Sequence, residues 1–139
     1  MIAQNNIFNV RYSKRNKWIG QIGSRRGFVE FDSVDHGIRC CFVLLCNYIR
    51  SGYDTIEKII YRFCPPFDGN DTEKYIKIVC DRMSSPNIGV FVDRDKKIIV
   101  YDDLIRLMCA MAFVENNVNL NYVDISHLVK GDLYSPISF

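Results

Sequence analysis

The chain has 139 residues, 48% of them hydrophobic and 24% charged, which suits one globular domain with a real core and excludes a disordered polymer. Its net charge of +2 is too small to argue for nucleic acid. Lys14, Arg15, Lys17 and Arg25–Arg26 give the N-terminal third a mild basic bias, for which a solvated loop is the simpler account.

The start, MIAQNNIFNV, has no basic n-region and no long apolar stretch, so neither a signal peptide nor a membrane span is expected. Asn5, Asn6 and Asn9 crowd the next few positions. Asparagine at this density signals turns that bond their own backbone. Trp18–Gln21 and Gly27–Phe31 flank Gly23-Ser24-Arg25-Arg26 and predict a β-hairpin, with Asn6–Tyr12 as a candidate third strand.

Ser33 then reads as an N-cap, with Asp35 in the first turn. Ile38, Phe42, Leu45 and Ile49 recur at helical spacing until Ser51–Gly52 stops the helix. Asp54 with Glu57 forms the next capping-box candidate, and Pro65–Pro66 ends that helix. Asn70 with Glu73 is a third, opening a helix through Tyr75, Ile76, Val79 and Met83. Gly89–Val92 and Lys97–Val100 fit either a small hairpin or an extended connector. A helix over 104–117 follows, then another over Val123–Val129 stopped by Gly131, and an extended tail, Asp132–Phe139. The expected fold is a mostly helical α+β single domain, 1–139, with a small β-hairpin near its start.

The six cysteines, Cys40, Cys41, Cys46, Cys64, Cys80 and Cys109, all sit in apolar runs and form no CxxC pair. With only His36 and His127 beside them, no metal site is expected, and the thiols read as reduced, buried groups of a protein made in the cytoplasm. No phosphate-binding loop, dinucleotide fingerprint or nucleophile motif is present, so no cofactor is expected.

The 104–117 helix, LIRLMCAMAFVENN, organises the chain. It is apolar from Leu104 to Val114 except at Arg106, the pattern of a buried helix. At about 100° per residue, Glu115 falls opposite Arg106 and in line with Met108 and Met111. An acid on an apolar face, at the negative end of a helix, has its pKa pushed upward by both influences. That is how a carboxyl becomes a general acid at neutral pH. A glutamate in a fraying last turn, facing solvent, is the competing account, and the helix alone leaves both open.

Three blocks carry a resemblance: NNIFNVR with Trp18–Gly20 and GFVEFDSVDHGIR; TIEKIIYRFCPPFDGNDTEKYI; and LMCAMAFVENN. Together they resemble the NNPxNIR…WxG…GFxxFxSxxxGxR, TxxxIIxRWAPPxENDTxxYI and AMxxxENG pattern of small phage and prophage virion proteins related to lysozyme-like enzymes. The chain departs from it at Phe8, Phe63–Cys64, Phe67–Asp68–Gly69 and Asn117. It is also similar, more distantly, to peptidoglycan glucosaminidases, which place a catalytic helix ahead of NNLFGIK, a W-x-G hairpin and an ATDPxYA segment. Here the helix ending in Glu115 stands after those blocks instead of before them. The resemblance therefore implies a lysozyme-like fold, circularly permuted, with Glu115 within reach of Asn5–Arg11.

The resemblance implies cleavage of peptidoglycan glycan strands, by hydrolysis or lytic transglycosylation. Glu115 is then the general acid, and Glu30 at the end of the hairpin the leading second carboxylate, ahead of Asp32 and Asp71. Asn5, Asn6, Asn9 and Arg11 would line the cleft, Trp18 would stack on a sugar and Tyr75 would lie in the active site. Each has a structural alternative: loop architecture for the asparagines and Arg11, hairpin anchoring for Trp18, helix packing for Tyr75 and a solvent-facing strand position for Glu30. The implied setting is the cell wall, reached after delivery by a virion or secretion apparatus, with an immunity protein as a further partner. The alternative function is a non-catalytic virion or wall-binding protein on the same fold.

Overall fold

A computed structural model describes residues 3–130. The readings of Gly131 as a helix stop and of Asp132–Phe139 as extended lie outside the described residues.

The architecture is a mostly helical α+β domain. A two-stranded antiparallel hairpin, β1 (Gln21–Arg25) and β2 (Phe28–Phe31), precedes five helices: α1 (Val34–Arg50), α2 (Ile56–Phe63), α3 (Thr72–Met83), α4 (Tyr101–Asn116) and α5 (Tyr122–Lys130). None of them is long and apolar enough to cross a membrane.

The hairpin turns at Arg26–Gly27, later than the pattern suggested. Both residues have positive φ, 51° and 86°, as a type I′ turn requires. β1 starts only at Gln21, and a register shift between Gln21 and Gly23 bends it. The candidate third strand is reduced to one bridge, Arg11 opposite Phe28, with Val29 N–H donating to the Val10 carbonyl at 3.1 Å. The turns at Asn5 and Asn9 account for this. Both residues are left-handed, at φ 58° and 53°, and no strand continues through such positions.

Ser33 caps α1 as its sequence predicts, its hydroxyl accepting from the His36 N–H. The next two caps sit one residue later than expected. Thr55 caps α2 and Asp71 caps α3, accepting from Lys58 and Lys74 N–H respectively. Asn70 instead donates to the Pro65 carbonyl, and the Asp54 backbone carbonyl accepts from Ile98 N–H. This last bond, with that from Ile56 N–H to the Lys96 carbonyl, makes the 89–100 segment an extended connector docked on the start of α2.

α4 is the centre of the core. Leu104, Ile105, Leu107, Met108, Ala110, Met111 and Ala112 are all buried, and the helix packs against α1, α3 and α5. Around it lie Phe31 from β2, Phe42 and Leu45 from α1, and Ile59 and Ile60 from α2. Gly37 on α1 permits one close approach: a Cβ there would collide with the Asn5 carbonyl oxygen. That contact seats the N-terminal segment against α1, while Asn116 Nδ2 on α4 donates to the Ile7 carbonyl at 2.9 Å. The segment is thereby fixed between the two helices.

All six cysteines are free. Cys40, Cys41 and Cys46 are buried as expected, whereas Cys64, Cys80 and Cys109 are only half-buried. Burial pushes every one of these thiols upward, Cys46 to about 12.

Candidate active site

Glu115 is the penultimate residue of α4. The helix stops at Asn117, which is left-handed (φ 54°) and whose N–H donates to the Ala112 and Phe113 carbonyls. Asparagine and glycine are the residues that tolerate this conformation.

This last turn abuts the asparagine segment, 106 residues away in sequence. Asn9 Nδ2 donates to Glu115 Oε1 at 3.0 Å and, more weakly, to the Glu115 carbonyl at 3.4 Å. The expectation that Glu115 lies within reach of Asn5–Arg11 is thus met by direct contact. Tyr75, on α3, is buried with its hydroxyl facing the same carboxyl. The hydroxyl makes no hydrogen bond of regular geometry among the described residues, although the two groups are close enough to perturb each other.

Burial pushes the Glu115 carboxyl above the ordinary glutamate value of 4.5. Three influences oppose this without cancelling it: the bond from Asn9, the hydroxyl of Tyr75 and the positive charge of Arg11. The same environment raises Tyr75, first through burial and then through the charge of Glu115. Cys64 is raised to about 11, again mainly by burial and next by Glu115.

Two depressions lie at the Asn9–Glu115 pair, one lined by the acid and the other by the asparagine. One, of about 330 Å³, is lined by Glu115, Tyr75, Cys64, Asn70, Asp71 and Lys74 among others. The other, of about 190 Å³, is lined by Asn9, Arg11, Asn16, Trp18, Arg62 and Asp68 among others. Asn9 lines the second and bonds to the acid that lines the first, so this hydrogen bond links the two linings. Arg11 is held over the second by Asp68, at 3.6 Å, and lies over the Phe28 ring. Trp18 is half-buried against the core and lines this depression.

The remaining expected site residues lie apart. Asn6 is fully buried, and its amide is consumed internally: Nδ2 donates to the Val10 and Val29 carbonyls and Oδ1 accepts from Val10 N–H. It has nothing left for a ligand, so its assignment to substrate binding is corrected to that of a loop tether. Asn5 donates to the Phe31 carbonyl at 2.9 Å and lines neither depression. Glu30 projects from β2 on the face opposite buried Val29 and Phe31, beside Gly23. It lines neither depression, and no hydrogen bond or ion pair joins it to Glu115. Asp32 bonds to His36 at 2.6 Å, which lowers its pKa.

Sequence reasoning missed Asn116, Cys64, Lys74 and Asp68. Cys64 and Asp68 left a signal, since both fall where the chain departs from the resembling pattern. Among the described residues, no three His, Cys, Asp or Glu side chains cluster as a metal ion would require. No family model matches the sequence, and no curated protein aligns with it significantly.

Proposed function

We propose that this domain cleaves the glycan strands of peptidoglycan, with Glu115 as the proton donor, on a lysozyme-like, circularly permuted fold. One observation carries the reading. A half-buried carboxyl with a raised proton affinity ends the central helix, lines one depression, and is oriented by an asparagine from the opposite end of the chain that lines another. The motif order described above gives this arrangement its direction.

The chemistry follows from that carboxyl. Protonated Glu115 gives its proton to the glycosidic oxygen as the bond from C1 to that oxygen breaks. The carboxylate so formed accepts a proton from the group that attacks C1. That group is water in hydrolysis, or the sugar's own 6-hydroxyl in lytic transglycosylation. One carboxyl thus serves as acid and then base, and Glu30 has no required part. Asp71 shares the depression with Glu115, and one of its oxygens already caps α3. Asn9 orients the acid, the Tyr75 hydroxyl faces it, and Arg11 and Trp18 offer a cation and an aromatic ring along the second depression. The substrate lies in the cell wall, so a virion or secretion apparatus would deliver the protein, and an immunity protein could guard its producer.

Mass spectrometry of products from purified peptidoglycan tests the reading. The wild type is expected to release muropeptides, and Glu115→Gln to release none while keeping its fold by circular dichroism. Release that survives Glu115→Gln removes the mechanism. A second reading, a non-catalytic wall-binding or virion component, draws on the ties of Asn9 to Glu115 and Asn116 to Ile7, which would also serve architecture alone. It predicts wall binding without soluble products.

A further inference from the structure

A separate concavity of about 220 Å³ lies where the end of α3, the middle of α4 and the 119–122 segment meet. Arg82 and Arg106 both line it, with Ser85, Cys109, Asn119 and Tyr122. Arg106 is opposite Glu115 around α4, so this site is distinct from the candidate active site.

Each guanidinium lies over an aromatic ring. Arg82 is 3.7 Å from the Phe113 centroid and Arg106 is 4.8 Å from that of Tyr122. A guanidinium whose face lies on a ring keeps its in-plane N–H donors at the edge. Among the described residues, neither cation reaches a carboxylate within salt-bridge distance or donates a side-chain hydrogen bond. The neighbouring acids bond to groups other than the two guanidiniums. Asp102, one turn before Arg106, accepts from the Tyr122 hydroxyl, and Asp81 pairs with Lys77 at 3.2 Å. Burial raises the Cys109 thiol, so it adds no negative charge at neutral pH.

Arg82 also suits the negative end of α3, which accounts for a cation there. It does not account for Arg106, in mid-helix on α4, facing the same concavity. Two like charges so placed repel, and an oxyanion between them converts that repulsion into two charge-assisted pairs. The geometry points to a binding site for a phosphoryl group, held by the guanidinium forks of Arg82 and Arg106, with the Ser85 hydroxyl and the Asn119 amide at its rim. Two forks with neutral donors around them suit a group with three or more oxygens better than the two of a carboxylate.

Orthophosphate and a glycerol-phosphate oligomer, titrated separately into the full chain at low ionic strength, distinguish a free anion from a polymer ester. The arginine Nε–H resonances report binding. Saturable shifts of Arg82 and Arg106 are expected with at least one probe, and the tighter probe identifies the source. Arg82→Gln and Arg106→Gln should each weaken binding about 10- to 100-fold. Asn119→Asp disturbs neither ring contact, yet brings a carboxylate to the forks, and should weaken binding similarly. Replacing Arg25 and Arg26 at the hairpin tip with alanine should leave affinity unchanged. Failure to saturate with either probe overturns the proposal. So does an equal loss on removing the hairpin arginines, or unaltered binding in Asn119→Asp.

Discussion

The contact between Asn9 and Glu115 joins the two ends of the candidate site, and Asn9→Gly isolates it. Asn9 is left-handed, so glycine keeps its backbone while removing the amide. The loss is a charge-assisted hydrogen bond of 3.0 Å, with a weaker one of 3.4 Å to the helix carbonyl. Bonds to charged groups are worth about 1.5–3 kcal/mol, and partial exposure of both residues argues for about 1–2 kcal/mol here. For a chain of this size that lowers the melting temperature by roughly 3–8 °C. Asn9→Ala adds left-handed strain and should cost about 1 kcal/mol more. The amide also favours the carboxylate over the acid, so its removal should raise the Glu115 pKa further, as read by carbon-13 NMR of the side-chain carboxyl. On the proposed mechanism, the alkaline limb of the pH–rate profile moves the same way. Asn9→Gly with wild-type stability and an unmoved Glu115 titration would refute the reasoning, because the contact would then hold nothing.

Three further outcomes follow from the same geometry. Glu115 binds its proton more tightly in the native state than in the unfolded chain, so its contribution to stability is complete below the ordinary value of 4.5 and is lost as pH rises through the raised native value. Glu115→Gln cannot ionise, and urea titrations across that window should show a flatter pH dependence than the wild type; parallel curves would contradict the raised pKa. Tyr75→Phe removes a hydroxyl without a regular hydrogen bond, so stability should change by less than about 1 kcal/mol while glycan cleavage falls. A large loss of stability with unchanged cleavage would make the hydroxyl architectural. Asn6→Ala strands the Val10 N–H and the Val29 carbonyl, while the Val10 carbonyl keeps its bond from Val29 N–H, and should cost about 2–4 kcal/mol by chemical denaturation; a cost below about 1 kcal/mol would mean that water replaces the amide.

The helices were legible because their signals are local. The Ser33 cap, the stop at Ser51–Gly52 and the double proline after α2 act within a few residues of the positions they control. The displaced caps show where locality fails. Glu57 and Glu73 read as capping-box partners, yet both bond to Arg94, at 2.8 Å and 2.7 Å, from a connector far along the chain. Their spacing was right and their partner was invisible. Glu30 illustrates a different limit. Alternation along β2 sends Val29 and Phe31 into the core and fixes Glu30 on the other face, but it says nothing about whether that face borders Glu115. The asparagine block was read correctly as turns, and it divides in a way no pattern foretells: Asn6 faces inward as a tether, and Asn9 faces the acid.

Glu115 carried two accounts in the sequence, and its surroundings remove the solvent-facing one. A fraying, solvent-facing glutamate would keep an ordinary proton affinity and contact nothing distant. This one is half-buried, held by Asn9, and shielded by Tyr75. The opposing influences matter for the proposed chemistry. Burial alone would keep the proton on the acid, and full hydrogen bonding alone would strip it off before substrate arrives. Desolvation outweighing Asn9, Tyr75 and Arg11 leaves the carboxyl with a raised proton affinity, the direction that the proposed proton donor needs. Because Asn9 is 106 residues from Glu115, that balance exists only in the folded domain. Unfolding, or loss of the Asn9 amide, should change the proton affinity before it changes the helix.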